Sequence, residues 1–231
     1  MLNRKICALK SATNHIQTVG CNEKKMKETF KKELLEQNPS ILFSRWVLNR
    51  IPIIFNSETE TFIQWKEELS KLIQVDSQAI LFTGSSCNGF SFSPYKNFRD
   101  FNEDSDIDIA IISEYFFDTC WFEIRNYGNK YHDLTRPQQK SFEDHRTRLI
   151  YWGTIATDKL LPIFSFSKEW IFALENMSKS MPTKDRTINI RIYKNFESLR
   201  EYYIDCFKKL QQNLIESEIE NTKSEKNNTK V

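Results

Sequence analysis

Residues Ile80–Ser113, ILFTGSSCNGFSFSPYKNFRDFNEDSDIDIAIIS, contain the pattern that decides the fold. A short apolar run ends just before Gly84, and a polar and aromatic stretch follows. A second run, in which isoleucines predominate, begins directly after Asp106. Side chains on a strand alternate between its two faces, so Asp106 and Asp108 are expected on one face and the intervening isoleucines on the other. The sequence therefore predicts two strands, with paired carboxylates at the start of the second.

The paired carboxylates point to metal-assisted chemistry on phosphates. Two negative charges held side by side repel each other unless a cation lies between them, and oxygen ligands of this kind suit Mg²⁺. Asp106 and Asp108 are therefore predicted to bind metal and to act in catalysis. The Gly84-Ser85 turn can offer backbone N–H groups and a hydroxyl to a phosphate. The alternative is a helical protein in which the Asp-x-Asp pair is fortuitous.

The order strand, Gly84-Ser85, then Asp106-x-Asp108 on the next strand resembles the nucleotidyltransferase superfamily, whose palm is like that of DNA polymerase β. The resemblance covers Ile80–Ser113, 34 of 231 residues (113 − 80 + 1). It implies that Gly84 and Ser85 hold the triphosphate of an NTP such as ATP, and that the Asp pair binds two Mg²⁺ ions. It also implies transfer of NMP to a hydroxyl of an RNA, protein, small-molecule or nucleotide acceptor. By analogy, a bacterial toxin–antitoxin or defence setting is suggested.

One departure from the family is the length of the connection between the two motifs. Twenty-two positions separate Gly84 from Asp106 (106 − 84), more than compact members of the family use. The extra residues, roughly 91–101, include Lys96 and Arg99. We expect them to form a loop over the site.

A second departure concerns the third carboxylate that the family usually carries on a later strand. The resemblance would place it on residues 187–193, whose polar face offers Asn189 and Arg191 instead. The Asp pair could act alone, or the carboxylate could come from Asp185, Glu123, Asp133 or Asp158. Arg191 is then expected to steady the departing pyrophosphate. If no carboxylate completes the site, the chain is an NTP-binding sensor or protein-interaction module without turnover.

Composition limits the class of protein. A chain with 39% hydrophobic and 28% charged residues suits one globular domain. The net charge of +2 does not indicate a nucleic-acid binder, and no DNA partner is expected. Five scattered cysteines without a CxxC pair predict reduced thiols and no zinc site. Since no apolar run approaches the ~20 residues of a membrane span, we expect no membrane partner and a cytoplasmic location.

The pattern along the chain predicts an α+β fold, with a small mixed β-sheet palm of the nucleotidyltransferase type flanked by helices, and further helices at both ends. The domain is expected over residues 23–215, after a loose lead-in at 1–22 and before a disordered polar tail at 216–231. A Ser57-x-x-Glu60 capping box and a buried structural His145 are also predicted. Alternation predicts a strand at 187–193, and residues 114–127 fit helix or strand. Helical periodicity is found at 23–37, 41–50, 62–73, 138–152, 168–177 and 196–214.

Overall fold

The structure, a computed structural model, describes residues 24–228, with side chains for residues 24–220. It contains a four-stranded sheet made of β1 (Ile80–Thr83), β2 (Ile107–Ile112), β3 (Thr154–Ala156) and β4 (Ile188–Tyr193). Their order in the sheet is β1-β2-β4-β3. The central strands β2 and β4 are parallel, and both outer pairs are antiparallel. The predicted α+β class, with a small mixed sheet flanked by helices, is confirmed. The predicted lead-in at 1–22 lies outside the described residues.

The helices follow most of the predicted periodic segments. They are α1 (residues 24–36), α2 (Pro39–Phe43), α3 (Thr59–Ile73), α4 (Gly84–Asn88), α5 (Glu114–Tyr127), α6 (Arg136–Asp144), α7 (Ser167–Met177) and α8 (Phe196–Asn228). Helices α2 and α6 continue into π-helical turns, Ser44–Leu48 and His145–Leu149. The ambiguous segment at 114–127 is helical because the Ser113 hydroxyl caps α5, accepting the Phe116 N–H at 3.3 Å.

One face of the sheet carries the larger part of the core. The isoleucines at alternate positions of β2 and β4 are buried there, at most 6% exposed. They pack against α3, α5 and α7 through aromatic side chains that include Trp65, Phe116 and Trp170. Each fully buried isoleucine contributes about 1.5–3 kcal/mol relative to exposure. Asp108 lies on the opposite face, as the alternation predicted.

The other face carries a second, aromatic-rich core. Ala110 and Tyr193 pack there with α1, α2 and α8, and the core is centred on the buried Phe30. These helices cover the face only in part. Toward the start of the two central strands, Asp108 and Asn189 remain partly exposed. The open part of this face is the candidate site.

The last helix continues beyond its packed region. Phe207 and Leu210 are buried against the sheet, whereas residues 216–220 are all exposed. The helix extends to Asn228, so the structure has helix where the sequence predicted a disordered tail. Gln212 donates to the Glu216 carboxylate at 2.9 Å, and glutamate, lysine and glutamine favour helix. Local propensity rather than burial accounts for this extension.

His145 is a structural residue, as predicted. It is fully buried at the start of the π-helical turn after α6, with Nδ1 2.6 Å from the Ser141 carbonyl oxygen. The Ala156 N–H donates to Nε2 at 3.0 Å. The two contacts require a neutral ring with its proton on Nδ1. His145 thereby ties the π-helical turn to β3.

We expect acid to destabilise the fold through His145. Burial lowers the pKa of its imidazole from the usual range, and the positive charge of Arg191 lowers it too, against the opposing effect of the Ser141 carbonyl. Below pH about 6.5 the unfolded chain binds a proton that the folded chain excludes, so the free energy of unfolding falls. Urea unfolding between pH 7.5 and 5.5 measures this. His145→Gln should lose that slope, whereas the exposed His132→Gln should keep it. An unchanged slope in His145→Gln would contradict the assignment.

In the described part of the chain, no helix combines the length and apolar character needed to cross a membrane.

Candidate functional site

The candidate site lies where β1 ends and β2 and β4 begin. Thr83 of β1 pairs with Asp108 of β2, and Asp108 pairs in turn with Asn189 of β4. Residues that pair across neighbouring strands share a face, so these three side chains form a row on the open face. The Thr83 hydroxyl also donates to the Asp108 carbonyl oxygen at 3.3 Å. The row joins the two sequence motifs in space.

Gly84 lies directly against the Asp108 carboxylate. Its φ of +64° is in the left-handed region, and a Cβ added there would collide with Asp108 Oδ2 and lie 3.1 Å from Asp108 Cγ. Only glycine fits both the dihedral angle and the space. Ser85 follows in α4, half-buried, and its hydroxyl makes no hydrogen bond with any described residue. The two predicted phosphate-binding residues therefore lie beside one predicted metal ligand.

Asp106 is exposed and lies immediately before β2. The loop that leads into it is held by Arg186, whose Nη1 donates to the carbonyl oxygens of Asn102, Glu103 and Ser105 at 2.8, 3.0 and 2.8 Å. The guanidinium also stacks 4.6 Å from the centroid of a phenylalanine ring in the same loop. Arg186 thus positions the backbone that carries Asp106. A single arginine preceding a strand offers no sequence signal for this role.

The surroundings of Asp108 disfavour the ionised form of its carboxyl group. Burial raises the pKa of its carboxyl group, Arg191 and Lys96 oppose that rise, and Asp106 and Asp158 add to it. The ionised form is therefore disfavoured by the fold and by two neighbouring negative charges. A bound cation would relieve both effects.

Two cations act on Asp108 at the open face. Arg191 shares the face with Asp108, and its Nη1 donates to the Tyr202 hydroxyl at 2.5 Å. The charge of Lys96, like that of Arg191, opposes the rise that burial causes in the pKa of Asp108. Among the described residues, Lys96 forms no ion pair with a carboxylate.

The long connection between the motifs forms an anchored loop. The Ser91 N–H donates to the Arg99 carbonyl at 2.9 Å, and the Phe92 ring stacks on Phe30 with centroids 4.6 Å apart. Its exposed tip carries Lys96, whose charge acts on Asp108. The extra residues thus form a loop, as expected, and the second core holds it in place. That this loop lies over the site stays a prediction.

Asp158 differs from the other candidates for a third carboxylate. Ala156 of β3 pairs with Arg191 of β4, so both lie on the face that carries Asp108. Asp158 follows in the turn after β3, next to Thr157, whose N–H donates to the Ile190 carbonyl oxygen of β4 at 3.1 Å. Asp158 is exposed. Burial is the main cause that raises the pKa of Asp108, and the negative charge of Asp158 raises it further.

The remaining candidates are less well placed. Glu123 accepts the Ser165 N–H at 3.0 Å, which occupies it in joining α5 to the chain before α7. Asp185 lies in a left-handed turn with φ +61°, and Asp133 is exposed at the end of a 3₁₀ turn. None of these three is among the charges that shift the pKa of Asp108.

The donor set fits a hard divalent cation. Asp106 and Asp108 offer carboxylate oxygens, and Asn189 beside them offers an amide oxygen, which are the ligand types that Mg²⁺ prefers. Within residues 24–228, no three His, Cys, Asp or Glu side chains are grouped closely enough to hold a metal ion. A cation at the Asp pair would therefore take further ligands from water and substrate phosphates.

The thiols near the site are unsuited to nucleophilic attack. Cys87, in α4, is 1% exposed, and burial raises the pKa of its thiol to about 12. Burial likewise raises the pKa of Cys206, on α8, to about 11. Attack requires the thiolate, which is scarce at neutral pH for both groups.

Comparison with models of protein families, with curated proteins and with solved structures found no match to this chain.

Proposed function

We propose that this chain is a cytoplasmic, Mg²⁺-dependent nucleotidyltransferase that moves NMP from an NTP to an acceptor hydroxyl. The observation that carries the proposal is the contact between Gly84 and the Asp108 carboxylate. Gly84 is in the left-handed conformation and lies beside the Asp108 carboxylate, and the hydroxyl of Ser85, the next residue, is free. Burial disfavours the ionised form of that carboxylate. Phosphate and cation binding would use both features together. The acceptor class stays open among RNA, protein, small molecule and nucleotide.

The roles of the residues follow from their positions. Asp106 and Asp108 would hold Mg²⁺, which when bound neutralises charge on the phosphates. Gly84 lets the Asp108 carboxylate approach the turn closely, and the Ser85 hydroxyl that follows it would donate to a phosphate. Arg191 is held by Tyr202 on the same face and would stabilise the negative charge of the leaving pyrophosphate.

We assign the third carboxylate to Asp158. A carboxylate there would accept the proton of the attacking hydroxyl, a step that the amide of Asn189 cannot perform. The location of Asp158 in the turn after β3, which pairs with β4, supports this role, as does its negative charge, which adds to the effect of burial on the pKa of Asp108.

The second candidate is an NTP-binding sensor or interaction module of the same fold without turnover. The observation that favours it is the register of Asn189, which pairs directly with Asp108 at the position where the family usually carries its carboxylate. Such a protein would bind Mg·NTP and release it unchanged.

Two substitutions separate these candidates. If Asp158 takes the proton, Asp158→Asn is expected to lower kcat by about 10²–10³-fold with little change in NTP binding. If the chain is a sensor, the wild type has no turnover, and Asn189→Asp is the change expected to introduce it. Steady-state release of pyrophosphate measures both. Full activity in Asp158→Asn would remove Asp158 from the mechanism.

The proposal as a whole is tested by nucleotide binding. Equilibrium binding of a non-hydrolysable α,β-methylene NTP is expected to be saturable, to require Mg²⁺ and to weaken in Asp106→Asn. Asp104→Asn is the matched control, because it removes another exposed carboxylate two residues away. Binding that is equal with and without Mg²⁺, or equal in all three proteins, would contradict a metal–nucleotide site at the Asp pair.

A further inference from the structure

A cavity of about 250 Å³ lies outside the candidate site, along the free edge of β1. Its walls come from the π-helical turn after α2, from α3, and from β1 with the 3₁₀ turn that precedes it. The residues that matter for its chemistry are Arg50, Phe62, Ile63, Lys66, Gln78 and Phe82. None of the residues already assigned to nucleotide chemistry lines it.

Two cations line this cavity without an acidic partner. Among the described residues, neither Arg50 nor Lys66 forms an ion pair. Arg50 stacks 4.7 Å from the Trp46 ring, and Lys66 lies 5.3 Å from the Phe62 ring, so aromatic faces hold both charges at the cavity. One carboxylate, Glu67, also lines the cavity, and it accepts a hydrogen bond from the Ser77 hydroxyl at 2.5 Å.

Partial burial disfavours the charged form of Lys66. Both cations are only partly exposed. Burial lowers the pKa of the Lys66 ammonium, more than Glu67 and Asp76 raise it. A desolvated charge without a paired anion is unfavourable unless another group supplies that anion.

The rest of the wall combines apolar and polar groups. Phe62, Ile63 and Phe82 are apolar, and Gln78 and Ser77 add an amide and a hydroxyl that can accept and donate hydrogen bonds. Pockets that bind small molecules combine such apolar walls with a few polar groups that orient the ligand. A volume somewhat below the usual 300–1,000 Å³ favours a small ligand.

We propose that this cavity binds a small organic anion, a carboxylate or phosphate monoester with an aromatic or branched apolar group. The anionic group pairs with Lys66 and Arg50, and the apolar group contacts Phe62 and Phe82. The inference does not rest on the proposed function. It uses the outer edge of β1, whereas Asp108 lies on the strand that pairs with the inner edge.

Calorimetric titration of the full chain with phenyl phosphate, benzoate and inorganic phosphate tests the proposal. Phenyl phosphate or benzoate is expected to bind saturably with one site per chain, and inorganic phosphate more weakly because it has no apolar group. Lys66→Met and Arg50→Gln should each weaken binding at least about tenfold, the value of a lost charged contact. Lys71→Met, on the same helix but outside the cavity, should change the affinity less than about twofold.

Four other outcomes would contradict the proposal that this cavity binds an organic anion. Absence of saturable binding by both organic anions overturns the proposal, as does binding that Lys66→Met leaves unchanged. Equal affinity for inorganic phosphate and phenyl phosphate would show that the apolar group adds nothing to binding, which overturns the claim that the ligand is an organic anion. Loss of binding in Asp108→Asn, with Lys66→Met unaffected, would place the ligand at the sheet and not here. Melting temperatures of all variants establish that they are folded during the titrations.

Discussion

Asp108→Asn is expected to abolish nucleotidyl transfer and at the same time to stabilise the metal-free protein. If Asp108 holds Mg²⁺ as proposed, its loss removes several kcal/mol of transition-state stabilisation, which corresponds to a rate loss of about 10³-fold. The substitution keeps the shape of the side chain, so the pairing of β2 with its neighbours should persist. Pyrophosphate release measures the loss of activity.

The gain in stability follows from the sign of the pKa shift. Burial raises the pKa of Asp108 in the folded chain, although Arg191 and Lys96 oppose the rise, so the folded state binds the proton more readily than the unfolded state. The free energy of unfolding therefore falls as pH rises from about 3.9 through the folded pKa of Asp108, and the whole cost is present above that pKa. Relief by about 1 kcal/mol would raise Tm by about 2–4 °C in a chain of this size.

Mg²⁺ provides the internal control for this prediction. Because a bound cation offsets the same repulsion, adding Mg²⁺ should raise the Tm of the wild type and leave that of Asp108→Asn nearly unchanged. A wild type that is more stable than Asp108→Asn without metal would contradict the conclusion that the fold disfavours the ionised form of Asp108. So would full transfer activity in that variant.

Gly84→Ala is expected to damage both stability and nucleotide binding. A non-glycine residue at φ +64° costs about 1–2 kcal/mol, and the new methyl group would collide with the Asp108 carboxylate. Together these effects should lower the free energy of unfolding by about 2–4 kcal/mol. Chemical denaturation measures the change, and Mg²⁺-dependent NTP binding measures the loss at the site.

Two comparisons make this prediction specific. Gly128→Ala is the matched control: Gly128 has φ −51° and nothing lies within 4 Å of its added Cβ, so the change should be neutral or slightly stabilising. In the Asp108→Ala background, Gly84→Ala should cost less, by at least about 1 kcal/mol, because most of the collision is removed. Equal costs in the two backgrounds would show that the two residues do not contact each other.

The central strands could be predicted because their signals are local. Alternation at 107–112 and 188–193 reports directly which side chains face the core, and both strands form as expected. The register between them, which sets Asp108 beside Asn189, depends on long-range pairing and cannot be read from either segment alone.

β3 had no usable sequence signal. Thr154–Ala156 is only three residues long, and it is a strand because β4 and His145 supply partners from distant parts of the chain. Without β3, the sequence could name Asp158 only as one of four candidates. The pairing of β3 with β4 distinguishes Asp158 from the other three, because it brings the turn after β3 close to β4.

Helix starts were the least predictable local feature. The Ser57-x-x-Glu60 capping box is absent, because Ser57 has φ +68° and α3 begins at Thr59. A capping box forms instead at α6, where the Thr135 N–H donates to the Gln138 side chain at 2.9 Å. Both segments carry the same pattern, and the tertiary path of the entering chain decides between them.

The most direct measurement uses NTP labelled with ³²P at either the α or the γ position, incubated with Mg²⁺ and candidate acceptors. Nucleotidyl transfer predicts that the α label moves into one acceptor fraction, that the γ label leaves as pyrophosphate, and that neither occurs with Asp108→Asn. Transfer of the γ label to the acceptor, or α-label transfer that Asp108→Asn retains in full, would contradict a nucleotidyltransferase site at this sheet.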